Sequence, residues 1–446
     1  MIGTRKLIAA LLMSITSVAF CQSGPRKVAW VHGFGGQHCS LQALNRHFEA
    51  NYEIESVRLS YNTQKGISKS GSTIAKALNQ YFDPDDKRSL GIGHSMGGLN
   101  LRYSEISTPD IPLGGVITIG TPHEGAALAS MYLNGGMDAF INKMAGDLLA
   151  GPRADKFASA FIYQLDPILD LPLIKLLNKS EFSVMDLVNL FGEGKSFDFL
   201  NYLLDSEETI RDLAPGSQGL ELLNSINSER KAYAIWGNED SPVHWRFLSS
   251  LISSSCNETI GDKTDELLVN KIGLVKNLYQ AMETTNRVVC QVAYFFSFGL
   301  SNKKSINTCL LANKYARGKN WIIDSEEHWL RLIGATYKTT ATVTVSQFLC
   351  QQELEEARRS NDFDMVQKLL DNDDCWLVYK IEREVWLKQA SDGLVTRQSA
   401  SAFPGAEVVL EAKGANHFEL LYHTSVKNAL EEIVKDPDEW SFVARK

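Results

Sequence analysis

Short apolar runs recur along the chain, separated by stretches whose apolar positions repeat with helical spacing. The runs are Lys27–Val31, Ile54–Tyr61, Ser89–Gly93, Gly115–Ile119, Ala232–Trp236 and Glu407–Glu411. Each is short enough for a strand and leads into a glycine turn, a charged loop or a helix-like stretch. The helical pattern covers Ser40–Asn51, Ser70–Tyr81, Gly97–Ser107 and Ser425–Val434. Strands that alternate with helices require crossover connections, so the pattern predicts an α/β fold with a mostly parallel central sheet flanked by helices.

Two long stretches interrupt this rhythm. Residues 126–230 hold apolar helical segments, Phe157–Leu177 and Ser183–Leu204, broken by Pro167, Pro172 and Gly194. Residues 241–388 are mostly helical in pattern, with a charged amphipathic part over Gln351–Asp374 and an apolar part over Val288–Leu300. Loops of such length without structure of their own are uncommon, so both are expected to be folded helical cap insertions. The aromatic group Tyr294, Phe295, Phe296 and Phe298 is expected to pack in a core. An apolar wall of a lipid-binding cleft is the alternative.

The first residues alter the picture of where the protein works. Arg5 and Lys6 precede an apolar stretch, Leu7–Ile15, that is too short to span a bilayer, and small residues follow at Ser17 and Ala19. This predicts a signal peptide over residues 1–21, cleaved after Ala19 or Cys21, no transmembrane segment after its removal, and a secreted or periplasmic protein. Lipid anchoring at Cys21 is disfavoured because Phe20, a bulky residue, precedes it. Six further cysteines, Cys39, Cys256, Cys290, Cys309, Cys350 and Cys375, form an even set that an oxidising compartment would let pair. A net charge of −8 and the lack of basic blocks exclude a nucleic-acid partner.

Three places carry chemistry. Gly93-His94-Ser95-Met96-Gly97-Gly98 follows a predicted strand and opens a predicted helix. A sharp strand-to-helix turn lifts a serine hydroxyl clear of the backbone, and the flanking glycines admit the tight turn. G-x-S-x-G alone is a weak signal, and its setting makes it specific. His32-Gly33-Phe34-Gly35-Gly36 ends the first strand, where a glycine-rich turn can aim a backbone N–H at a substrate oxygen. The expected oxyanion hole pairs the N–H groups of Phe34 and Met96. Near the end of the chain, Asp392 in Ser391-Asp392-Gly393-Leu394-Val395 precedes His417 in Asn416-His417-Phe418-Glu419. The order Ser95, Asp392, His417 suits a nucleophile, the acid that orients the base, and the base. Asp240, after the strand Ala232–Trp236, is the alternative acid.

These residues, with Gly120-Thr121-Pro122-His123-Glu124-Gly125, resemble the bacterial triacylglycerol lipases of the Pseudomonas and Burkholderia type, with Thr121 where that family has alanine. The resemblance covers residues 26–125 and 389–435. It implies an α/β-hydrolase fold, a core of 26–125, 231–240 and 389–440, a Ser95–Asp392–His417 triad and an oxyanion hole at Phe34 and Met96. It implies a secreted serine hydrolase that cleaves carboxylic esters, a lipase or esterase, through an acyl-enzyme. The substrate is an ester or lipid, and the lid over 126–230 is the expected contact with a lipid interface. A phospholipase or an acyltransferase would use the same triad. A non-catalytic binding protein on this fold would normally lack a triad member. Those lipases also hold a structural calcium near the catalytic histidine through aspartates; here Glu419 stands two after His417 without a convincing partner aspartate, and no cofactor or metal is predicted.

Overall fold

The computed structural model describes residues 26–84, 88–154, 206–239, 244, 246, 265–296, 303–360, 362–435 and 440. Six strands form one parallel sheet: β1 Arg26–Val31, β2 Ile54–Leu59, β3 Leu90–His94, β4 Gly115–Ile119, β5 Lys231–Asn238 and, last of the sheet in the chain, Val408–Lys413. In space they run β2-β1-β3-β4-β5 and then Val408–Lys413. Each matches a run expected from the sequence within one or two residues. Helices α1 Gln42–Asn51, α2 Gly66–Tyr81 and α3 Met96–Ser107 supply the crossovers between the early strands. A parallel six-stranded sheet with helical crossovers and a serine turn after β3 is the α/β-hydrolase fold.

Alternation along β1 explains the two layers. Val28 and Trp30 point to one face, where Ile92, Ile117, Ile235 and the apolar side of α1 complete a core. Ala29 and Val31 point to the other, against Ile74 and Leu78 of α2 and Leu99 of α3. The C-terminal helix Thr424–Val434 covers the first face through Val426, Leu430 and Ile433. Each such fully buried aliphatic side chain contributes about 1.5–3 kcal/mol. Strand order reverses between β1 and β3, so the loops after these two strands diverge to opposite sides and leave a crevice at their carboxyl ends.

The first insertion is described in part: α4 Ala127–Leu133, α5 Gly136–Ala154, α6 Glu207–Leu213 and α7 Gln218–Asn224. The two helices expected at Phe157–Leu177 and Ser183–Leu204 fall outside the described residues, as do the signal peptide and Asp240. The second insertion contains two long helices, α8 Asp265–Phe296 and α9 Lys303–Leu332, joined by the Cys290–Cys309 disulfide. Tyr279 of α8 meets Tyr315 of α9 edge to face, and Trp321 of α9 packs by Phe140 of α5. The apolar stretch at the end of α8 departs from expectation. Val288, Val292, Tyr294 and Phe295 are exposed, Phe295 to 78%.

Residues 335–389 form a second compact unit. Its two 13-residue strands, β6 Thr336–Phe348 and β7 Trp376–Lys388, pair antiparallel in register from Thr336↔Lys388 to Phe348↔Trp376. This ribbon was not expected in a segment of mostly helical pattern. The charged stretch 351–374 divides into α10 Gln351–Arg359 and α11 Phe363–Leu370, because the Asp362 side chain caps the second helix at the N–H of Met365. Leu354, Ala357, Leu369 and the Cys350–Cys375 disulfide make the unit's small core. Cys39 is disulfide-bonded as well. Among the described residues no helix is long and apolar enough to cross a membrane.

A core this small depends on its cross-link. A disulfide closing a loop of this separation, 25 residues, restricts the unfolded chain by about 3 kcal/mol. The double variant Cys350→Ser/Cys375→Ser is expected to raise amide exchange over residues 351–370 by roughly 10²-fold while the six-stranded sheet keeps its protection, as read by hydrogen-exchange mass spectrometry.

Candidate active site

Ser95 sits between β3 and α3 with φ 53° and ψ −128°, and it is the one non-glycine residue at positive φ among the described residues. Three bonds hold that turn. The Ser95 N–H donates to the Ile119 carbonyl at 2.9 Å, and the Ser95 carbonyl accepts from the Gly98 N–H at 3.1 Å and from the Thr121 hydroxyl at 2.9 Å. Thr121, the departure from the lipase pattern, therefore adds a tie to the Ser95 turn that alanine could not make. Close approach explains two glycines. A Cβ on Gly33 would stand 2.7 Å from the Ser95 Cβ, and one on Gly97 would stand 2.5 Å from the His32 carbonyl oxygen.

His417 lies in the loop after the last sheet strand and Asp392 in a turn before it. The His417 Nε2 is 3.0 Å from the Ser95 Oγ, and its Nδ1 is 2.7 Å from the Asp392 Oδ2. The other carboxylate oxygen of Asp392 accepts from the N–H groups of Leu394 at 3.0 Å and Val395 at 2.7 Å. The His417 N–H donates to the Asp392 carbonyl at 2.7 Å, so backbone as well as side chain joins the two loops. Asp392 and His417 are buried, and Ser95 is part-exposed. The Asp392 turn is braced by the Trp329 indole of α9, which donates to the Gly393 carbonyl at 2.8 Å. With the carboxylate accepting from Nδ1–H, Nε2 is left to accept from the serine hydroxyl.

The expected oxyanion donors belong to the start of α3 and the loop after β1. Met96 is the first residue of α3, where an N–H has no acceptor within the helix. Phe34 follows Gly33 in the loop after β1, and its side chain packs against the core that α2 and α3 complete. The neighbouring Gly35 N–H donates to the Thr63 hydroxyl at 3.2 Å, which fixes this loop to the one after β2.

Four residues that sequence reading left without a role surround this set. The His94 Nε2 donates to the His417 carbonyl at 2.9 Å. Burial, aided by the neighbouring His417, pulls the His94 pKa well below the ordinary histidine value and keeps it neutral beside that ring. Arg246 joins two buried carboxylates: its Nη1 is 2.5 Å from Glu239 Oε1, and its Nη2 is 2.8 and 3.0 Å from the Glu419 oxygens. A calcium ion beside the histidine loop would need these carboxylate oxygens for itself. With a guanidinium between them, the residues here do not fit the calcium that the lipase resemblance implies.

Behind the crevice, His123 is fully buried between Arg102 and Thr118. The Arg102 guanidinium donates to His123 Nδ1 at 2.8 Å, and the Nε2 side faces the Thr118 hydroxyl at 3.1 Å. Burial first, and the Arg102 charge second, hold His123 well below the ordinary histidine pKa.

No protein-family model matches the chain, and no curated protein matches it. Solved structures similar to it include the mature form of the Bacillus licheniformis lipase BlEst2, 13% identical with a TM-score of 0.33, where the match covers 93% of this chain and 92% of that one. The Legionella pneumophila phospholipase PlaB is 15% identical with a TM-score of 0.30, over 54% of this chain and 43% of that one. The propeptide form of BlEst2 is 13% identical with a TM-score of 0.29, over 51% of this chain. The chain spans 40% of that propeptide form, and 25% of another similar structure, the Aspergillus fumigatus lipase B. Likeness of this degree does not bear on substrate.

Two outcomes follow from the packing and the buried histidines. Gly97→Ala is expected to destabilise the protein by about 2 kcal/mol and to lower activity, since the new methyl group must push on the backbone that leads to Phe34; urea unfolding and ester turnover measure the two effects. The folded pKa of His123 lies below the unfolded value of 6.5, so the unfolded chain binds that proton first. Stability is retained above pH 6.5 and falls as pH drops below it. Urea titrations from neutral to mildly acidic pH should show a slope shallower in His123→Gln than in wild type, by up to about 1.4 kcal/mol per pH unit.

Proposed function

We propose that the protein is a secreted serine hydrolase that cleaves carboxylic esters through the triad Ser95, His417 and Asp392. The observation that carries this reading is the relay Ser95 Oγ, His417 Nε2, His417 Nδ1, Asp392 Oδ2, with steps of 3.0 and 2.7 Å and its buried end held by two backbone N–H groups. In the first half-reaction His417 takes the Ser95 proton as Oγ bonds to the ester carbonyl carbon. The oxyanion faces the N–H groups of Phe34 and Met96. Collapse breaks the bond to the alcohol oxygen, which leaves with the proton from His417. Water then gives its proton to His417 and its oxygen to the acyl carbon, Ser95 recovers its proton, and the acid departs.

The export reading is supported by the disulfides Cys290–Cys309 and Cys350–Cys375, which persist in oxidising compartments, and by the signal pattern of residues 1–21. The apolar content of residues 126–230 supports an ester with a lipid-like acyl chain, met at a lipid interface through this lid.

The test is a series of p-nitrophenyl esters of increasing acyl length, hydrolysed by wild type, Ser95→Ala and Asp392→Asn. Ser95→Ala is expected to lose activity by at least about 10³-fold and Asp392→Asn by about 10⁴-fold in kcat. Activity that survives Ser95→Ala sinks the reading. A preference for short, soluble esters removes the lipase label and keeps the esterase.

A further inference from the structure

Arg246 belongs to the second insertion, yet its guanidinium lies behind the loops that carry the base and the acid. One nitrogen meets Glu239 Oε1 at 2.5 Å, and Glu239 directly follows β5. The Glu239 N–H donates to the Ser391 carbonyl at 2.8 Å, next to Asp392. The other nitrogen holds both oxygens of Glu419 and lies 3.3 Å from the Gly414 carbonyl. Glu419 in turn accepts from the Asn416 N–H at 2.9 Å, and the Asn416 side-chain oxygen accepts from the N–H groups of Phe418 at 3.1 Å and Glu419 at 3.0 Å. The bonds therefore run in a closed path around His417 and reach the Asp392 turn by a second route. The side chains of Glu239 and Glu419 are 0% and 3% exposed, and that of Arg246 is 24% exposed. Two carboxylates buried side by side repel unless a cation stands between them, and only a planar fork can bond to both in fixed directions.

We propose that Arg246 is a positioning residue for catalysis: an internal cation that holds the Asp392 turn and the His417 loop at hydrogen-bonding distance, in the place where a bound metal ion would otherwise be required. The inference rests on the triad reading above. It predicts an enzyme whose activity does not depend on calcium, although its histidine loop has a carboxylate two residues after the base. It also gives residues 241–388 a part in the site itself, since Arg246 reaches the catalytic loops from within that insertion.

The experiment uses the full secreted chain and four forms of it: wild type, Ser95→Ala, Arg246→Ala and Arg246→Lys. Kinetics are measured on the preferred p-nitrophenyl ester, with and without a chelator, on samples whose folded state is checked by circular dichroism. A proton held between His417 Nδ1 and Asp392 is followed by its downfield NMR resonance, which needs no turnover. Arg246→Ala is expected to lower kcat by about 10²-fold with KM little changed, as loss of orientation does. Arg246→Lys should recover part of that loss, because an ammonium supplies the charge without the fork. The downfield resonance should persist in Ser95→Ala and broaden in Arg246→Ala. Wild-type activity should survive the chelator. An Arg246→Ala protein with wild-type kcat and an unaltered resonance overturns the proposal, and so does chelator-sensitive wild type. Activity retained by Ser95→Ala defeats the triad reading instead, and the NMR comparison still tests whether Arg246 holds the histidine loop.

Discussion

The backbone of Ser95 is held where an L-residue is strained. At φ 53° and ψ −128° the serine costs on the order of 1–3 kcal/mol relative to a relaxed conformation. The cost is met by surroundings that leave no other arrangement. β3 enters the turn paired on both sides by parallel neighbours, α3 leaves it at once, and Thr121 and Ile119 bond to the serine's own peptide groups. Gly33 and Gly97 are small because β1 and its loop press against the turn.

The Ser95 hydroxyl meets an imidazole from far along the chain, the separation of the Ser95–His417 pair being 322. Long-range placement of that kind is difficult on loops. The structure resolves it by cross-bonding the loops to one another: His417 N–H to the Asp392 carbonyl, His94 to the His417 carbonyl, Trp329 to the Gly393 carbonyl. Burial lowers the pKa of His94, so that a neutral imidazole, not a second cation, adjoins His417.

Local signals made the sheet readable. The six apolar runs, each ended by glycine or charge, lie where the strands are, and Gly115–Ile119 was delimited to the residue. Ser95 and His417 could be named because each follows a strand of the sheet; Asp392, in a turn before the last of those strands, is named by its order in the chain. The ribbon of β6 and β7 escaped for a different reason. Thr340, Thr342, Val343, Thr344 and Val345 carry β-branched alternation, but the charged helical stretch between the strands dominated the pattern. The fate of Phe295 escaped too, because an apolar residue on a helix reads the same whether its neighbour covers it or not.

Arg246 illustrates the limit of pattern reading. Nothing in its own neighbourhood distinguishes it from a surface arginine, and its partners Glu239 and Glu419 are 7 and 173 residues away. Its importance arises only when β5 and the last strand of the sheet pair, Gly237 beside Ala412 and Asn238 beside Lys413, which brings the two glutamates to one place. Once they are buried there, the charge of the arginine is a requirement, since each carboxylate left alone in such a site would be costly to keep ionised. The insertion that carries Arg246 also carries Trp329, so it reaches both the Asp392 turn and the His417 loop. An insertion that supplies such braces cannot be trimmed as decoration on the sheet: the geometry of the Asp392 and His417 loops includes part of it.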